Sequence, residues 1–177
     1  MNEELLRVLD AREKRWQRRL ALARGSRRTL ITITLCVPVA YRTDPEFERL
    51  MLALGRRFRA FLRSRGVHYR LEGMDHGADG PALFLTTAAA PRRVKELCVR
   101  AEDLLGGGRM LDIDVMDPLG EPVSRGSLGL PPRRCFVCGE PAAVCVSRKI
   151  HSPGDISRRV EELRREAEEY LARGARF

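Results

Sequence analysis

The chain has 177 residues, 44% of them apolar, and a formal net charge of +9, enough for one globular domain with its own core and a small appendage. No run of about 18 apolar residues exists to span a bilayer, and the charged opening MNEELLRVLDAREKRW lacks the apolar centre of a secretion signal, so the expected compartment is cytoplasmic. The positive charge is almost all arginine; it reads either as affinity for an anionic partner, through planar bidentate contacts, or as the coding bias of a GC-rich genome.

Residues 3–23 read as a helix with Leu5, Leu6, Leu9, Trp16 and Leu20 on one apolar face and Arg12, Arg15, Arg18 and Arg19 on a solvated one. "TLITITLCVPV" alternates as a strand, with Ile31, Ile33, Leu35 and Val37 sharing a face. Asp44-Pro45 opens the next helix as cap and first helical residue, and Gly66 ends it. Its stripe is Phe47, Leu50, Met51, Leu54, Phe58, Phe61 and Leu62. "VHYRLEG" and "PALFLTT" are strands around the turn "DHGADG". Pro91 starts a helix with Val94, Leu97, Cys98, Ala101, Leu104 and Leu105 inward, stopped by three glycines at 106–108. "GRMLDIDVM" is the fourth strand. Residues 118–152 read as irregular, and Ser152-Pro153 opens a last helix lined by Ile156, Val160, Leu163, Ala167 and Tyr170.

The expected class is therefore α+β. A leading helix precedes a β-α-β-β-α-β succession, the arrangement of ferredoxin-like and polymerase-palm sheets. The expected division is a core over 1–117 and a Cys/His-rich segment with its helix over 118–177, packed on the same domain.

Two carboxylates stand on the fourth strand. Alternation turns Leu111, Ile113 and Val115 one way and Asp112 and Asp114 the other, with Met110 and Met116. Their Cα atoms are expected roughly 6.5–7 Å apart, a spacing suited to holding Mg²⁺ whose remaining positions go to water and phosphate oxygens. The pattern alone leaves a second reading open, an ordinary solvated sheet face.

Cysteines supply the other motif. Cys135, Cys138, Cys145 and His151 follow C-x2-C-x6-C-x5-H, a donor set for a tetrahedral structural Zn²⁺ in a segment with little core of its own. A redox-active C-x-x-C pair and a merely buried Cys145 are the competing readings. Cys36 and Cys98 are expected in the core. An odd cysteine count without a secretion signal argues against a disulfide scaffold.

These residues carry a resemblance. G-R-x-x-D-I-D-V at 108–115, Ser124-Arg125, L-P-P-R-R-C at 130–135, Cys138, Cys145, His151 and the early "LDAREKRWQRR" resemble the holo-[acyl-carrier-protein] synthases of citrate lyase, also called apo-citrate lyase phosphoribosyl-dephospho-CoA transferases. The likeness is strongest over 108–151 and weakest over 40–105, where it lies in pattern rather than in residues. It implies transfer of a 5′-phosphoribosyl-3′-dephospho-CoA group from its triphosphate precursor, triphosphoribosyl-dephospho-CoA, to a serine of the citrate lyase acyl carrier (γ) subunit, with release of pyrophosphate. It makes Asp112 and Asp114 the expected catalytic, Mg²⁺-holding pair. Arg125, Arg133 and Arg134 become candidate phosphate clamps, joined by Arg12 and Arg15. A malonate decarboxylase carrier is the alternative acceptor. The rival class is a zinc-containing RNA-binding module; with 6% aromatic residues and no exposed Phe/Tyr pairs on its strands, the chain is poorly equipped for base stacking.

Overall fold

Strand alternation builds a sheet with two unlike faces. In the computed structural model, which describes residues 3–174, β1 (Thr29–Leu35) pairs antiparallel with β3 (Ala82–Thr87) and β4 (Leu111–Met116), and β2 (Arg70–Asp75) pairs antiparallel with β3. The strand order is β2-β3-β1-β4. Ile31, Ile33, Leu35, Leu83, Leu85, Leu111, Ile113 and Val115 form the main core with α3 (Pro45–Ser64) and α4 (Pro91–Leu104). Leu30, Ala82, Phe84 and Met116 meet Ala23 of α1 (Glu3–Ser26) in a smaller cluster. The structure is thus α+β, with a four-stranded antiparallel sheet.

Local chemistry sets the helix ends. The Asp44 side chain accepts the Glu46 N–H at 2.7 Å and Pro45 takes the first helical position, so α3 starts where the sequence predicts. All seven residues of its expected stripe are buried. Ser152 caps α6 (Pro153–Ala172) in the same way, accepting the Asp155 N–H. Val160, Leu163 and Ala167 carry α6 into the main core. Gly107 makes that approach possible: its φ is +72°, and a Cβ there would lie 2.4 Å from the Ala167 Cβ.

The structure corrects several expectations. Leu5, Leu6, Leu9 and Trp16 are exposed, and along α1 only Val8 and Ala23 are buried. Leu104 is exposed at the last turn of α4. The second strand begins at Arg70 and carries a bulge between Leu71 and Gly73, which breaks its alternation. Met110 sits in a 3-10 turn, Gly108–Met110, and points into the main core rather than along the face of the acids. Two short helices join the predicted set: α2 (Val39–Arg42) after β1, and α5 (Ala142–Ser147) within the otherwise irregular segment. Among the described residues, no helix is long and apolar enough to cross a membrane.

Candidate functional site

Register brings the polar sheet face together. Asp114 pairs with Thr32 and Asp112 with Thr34 across β4 and β1. Residues two apart share a face, so Cys36, just past β1, joins the threonines there. It is half-buried at the cavity wall, not in the main core. The expectation for Cys36 fails on this parity; Cys98 is fully buried, as expected. Burial pushes the Cys36 thiol above its ordinary pKa against the pull of Arg133, so Cys36 is not a ready thiolate.

A cavity of about 310 Å³ opens over this face, and four arginines (Arg12, Arg15, Arg19, Arg42) and three aspartates (Asp79, Asp112, Asp114) line it. The predicted solvated face of α1 is in fact a wall. The side chains of Arg15 and Arg19 are only 12% and 13% exposed. Asp79, 4% exposed, takes three guanidiniums: Arg12 at 3.0 Å, Arg15 at 2.9 Å and Arg42 at 2.7 Å. Burial alone would raise its pKa, but the Arg12 hydrogen bond and the charges of Arg42, Arg12 and Arg15 hold it below the usual carboxylate range. Gly80 lets the chain come this close. A Cβ there would meet the Arg42 backbone oxygen at 2.8 Å, and the Gly80 carbonyl accepts a further bond from Arg15 at 2.8 Å.

The two acids are held from opposite sides. Arg19 lies 3.1 Å from Asp114. Arg133 donates to Asp112 at 3.0 Å, and its other nitrogen donates to the Arg109 and Leu111 carbonyls, so the guanidinium is fixed against the end of β4. Behind it, buried Glu102 joins Arg125 at 2.6 Å and Arg133 at 3.6 Å. Lys95 donates to the Ile113 carbonyl at 2.9 Å between the two acids. Burial, then the neighbouring charge of Asp114, raises the Asp112 pKa; Arg133, Lys95 and Arg19 oppose the rise without cancelling it.

Each expected phosphate-binding residue has a definite place. Arg12 and Arg15 line the cavity, and Arg133 touches Asp112. Arg125 lies behind Arg133, bonded to Glu102. Arg134 is not brought to the acids; one of its nitrogens donates to the Gly139 carbonyl of the cysteine loop at 3.1 Å. Sequence reasoning missed Arg19, Arg42, Asp79 and Glu102. Arg12, Arg15 and Arg19 fall at i, i+3 and i+7, one helical stripe, which was the available signal for Arg19. Nothing local marks Asp79 or Arg42.

The acid pair and the cysteine cluster differ in what they can hold. Thr32 Oγ1 and Arg19 Nε, next to Asp114, are buried without hydrogen-bond partners among the described residues. Two carboxylates beside unspent donors fit a divalent cation that shares its shell with phosphate oxygens. In the loop, the donor atoms of Cys135, Cys138, Cys145 and His151 all lie within 4.8 Å of one another. Cys135 Sγ and His151 Nε2 are 3.4 Å apart, and Cys138 Sγ and Cys145 Sγ are 3.5 Å apart. Three thiols and an imidazole at these separations fit one tetrahedral ion. The Val137 N–H points at Cys135 Sγ, at 3.4 Å, and helps carry thiolate charge.

Cavity and fold together describe an α+β protein with an arginine- and aspartate-lined cavity on its sheet and a cluster able to hold a metal. The family model described as apo-citrate lyase phosphoribosyl-dephospho-CoA transferase matches residues 3–167, and the chain belongs to that family of transferases. A protein of that name from Shigella flexneri serotype 5b (strain 8401) is 31% identical over 156 residues, covering 88% of this chain and 85% of that protein. One of the same name from Escherichia coli O1:K1 / APEC is 32% identical over 157 residues, with coverage of 88% and 85%.

Proposed function

We propose that the protein transfers the 5′-phosphoribosyl-3′-dephospho-CoA group from its triphosphate precursor to a serine of the citrate lyase acyl carrier subunit. The names of its relatives suggest the group and the lyase. The observation that carries the chemistry is the meeting of Asp112 and Asp114 with four arginines in one cavity. The serine Oγ forms a bond to the α-phosphorus while the bond from that phosphorus to the β-phosphate bridging oxygen breaks. Its electron pair leaves with pyrophosphate, and a phosphodiester remains.

Each side chain has a part in this reading. Arg12, Arg15 and Arg42, fanned around Asp79, neutralise the leaving pyrophosphate. Arg133 steadies the α-phosphoryl oxygens, and Glu102 and Arg125 hold Arg133 in line. Asp112, made more basic by burial and by Asp114, is the proposed acceptor of the serine proton. Asp112 and Asp114 are also the residues that would hold Mg²⁺, which when bound supplies charge stabilisation for phosphoryl oxygens. Cys135, Cys138, Cys145 and His151 are the residues that would hold Zn²⁺, which when bound would staple this loop. The strand order supports a ferredoxin-like or palm-like sheet, with 118–177 as an extension of the same domain. The expected setting is cytoplasmic. The RNA-binding reading is less well supported, because the open sheet face bears Thr32, Thr34, Asp112 and Asp114 instead of stacking aromatics.

Intact-mass measurement tests the proposal. Apo acyl carrier subunit, the triphosphoribosyl-dephospho-CoA precursor, Mg²⁺ and the protein are mixed, and the carrier is weighed. A gain equal to the phosphoribosyl-dephospho-CoA group, lost with Asp112→Asn, is expected. No gain with citrate lyase carrier but a gain with malonate decarboxylase carrier would change the acceptor; no gain with either would refute the reaction.

A further inference from the structure

A second cavity, of about 640 Å³, lies between α5, the start of α6 and the cysteine loop. Its walls are chiefly Phe136, Val137, Ala142, Val146, Ile150 and Ile156. Pockets of roughly 300–1,000 Å³ with apolar walls and a few charged groups are where small molecules bind. Here the charged groups are Arg133, Arg134 and Lys149. Val146 and Ile150 are 77% and 52% exposed, apolar surface that a ligand would cover.

The cavity lies next to the acid–arginine site. Cys36 lines both. Arg133 lines the apolar cavity while its guanidinium bonds Asp112 in the other. Two neighbouring cavities, one arginine-rich and one with apolar walls and basic side chains at its edge, suit a long ligand with a triphosphate at one end and a nucleoside and pantetheine arm at the other. We propose that the apolar cavity receives the dephospho-CoA part of the donor, its nucleoside and pantetheine arm, while the triphosphate end occupies the neighbouring cavity. This inference rests on the reaction proposed above. Arg134 and Lys149 suit the diphosphate that links nucleoside to pantetheine. Cys135, Cys145 and His151 also line the cavity, so the metal cluster shapes a substrate wall as well as stapling a loop.

Calorimetric titration of the full chain with dephospho-CoA, which lacks the triphosphoribosyl group, isolates this cavity; inorganic pyrophosphate, titrated separately, reports the other. Saturable dephospho-CoA binding is expected. Ile150→Asp should weaken it by about tenfold or more, as expected for a charge in place of an apolar contact, and leave pyrophosphate affinity unchanged. Zinc content and melting temperature check the fold, and Val146→Asp, at a more exposed position, repeats the test if Ile150→Asp folds poorly. Absence of dephospho-CoA binding, or unaltered affinity in both variants, overturns the inference. So does a rise in KM for the carrier alone, which would make the cavity a docking site for protein. Transfer onto carrier without dephospho-CoA binding would refute the cavity and leave the reaction standing. Binding that Ile150→Asp weakens, in a protein that transfers to no carrier, would refute the reaction and keep the cavity.

Discussion

Asp79→Asn is the sharpest perturbation of the arginine wall. The carboxylate is 4% exposed and holds Arg12, Arg15 and Arg42 within 3.0 Å. Asparagine keeps the shape but removes the charge, leaving three guanidiniums facing one another. Breaking a buried ion pair from one side costs about 3–5 kcal/mol. Arg12 is 50% exposed, so water screens part of this, and about 2–3 kcal/mol is the expected loss. For a chain of this size that lowers Tm by about 4–12 °C. The pH dependence carries the sign. The native pKa of Asp79 is depressed, so its stabilisation is complete above the unfolded carboxylate value, about 3.9. It is lost as pH falls through the native value. Calorimetric melting of both proteins should therefore show the full deficit at pH 7 and a shrinking one in acid. Donor KM should rise in parallel, since the guanidiniums lose their fixed positions. Equal Tm values at pH 7, or a deficit that persists unchanged below the native pKa, would refute the reasoning.

Other outcomes follow from the same geometry. Asp112→Asn should lower kcat for carrier modification by about 10²–10⁴-fold yet raise Tm at pH 8, because the native site disfavours the charged form of Asp112; a lower Tm there would contradict that electrostatic account. NMR titration of the Asp112 carboxyl should give a midpoint above the ordinary value, and Asp114→Asn should move it down, since Asp114 is a cause of the rise. Elemental analysis should find one zinc per chain, lost in Cys138→Ser together with thermal stability; full stability without metal would remove the staple. Gly107→Ala puts a Cβ 2.4 Å from that of Ala167 at a φ of +72°, so a loss of about 1–3 kcal/mol is expected by denaturant titration.

Features that depend on residues close along the chain were legible in the order of residues. Alternation put Asp112 and Asp114 on one face and Leu111, Ile113 and Val115 on the other. Asp44-Pro45 and Ser152-Pro153 fixed two helix starts through caps that use only neighbouring atoms. The C-x2-C-x6-C-x5-H spacing brought four metal donors within reach, because the loop that carries them closes locally. Which charges meet depends on the folded arrangement. Asp79 lies 67, 64 and 37 positions from Arg12, Arg15 and Arg42, and in a chain with 33 lysines and arginines residue type does not single out those three. The fold also decided that Arg134 serves the cysteine loop while Arg133 serves the acids. Neighbours in sequence part there because the direction of a long side chain is set by the carbonyls and carboxylates that the fold brings near it.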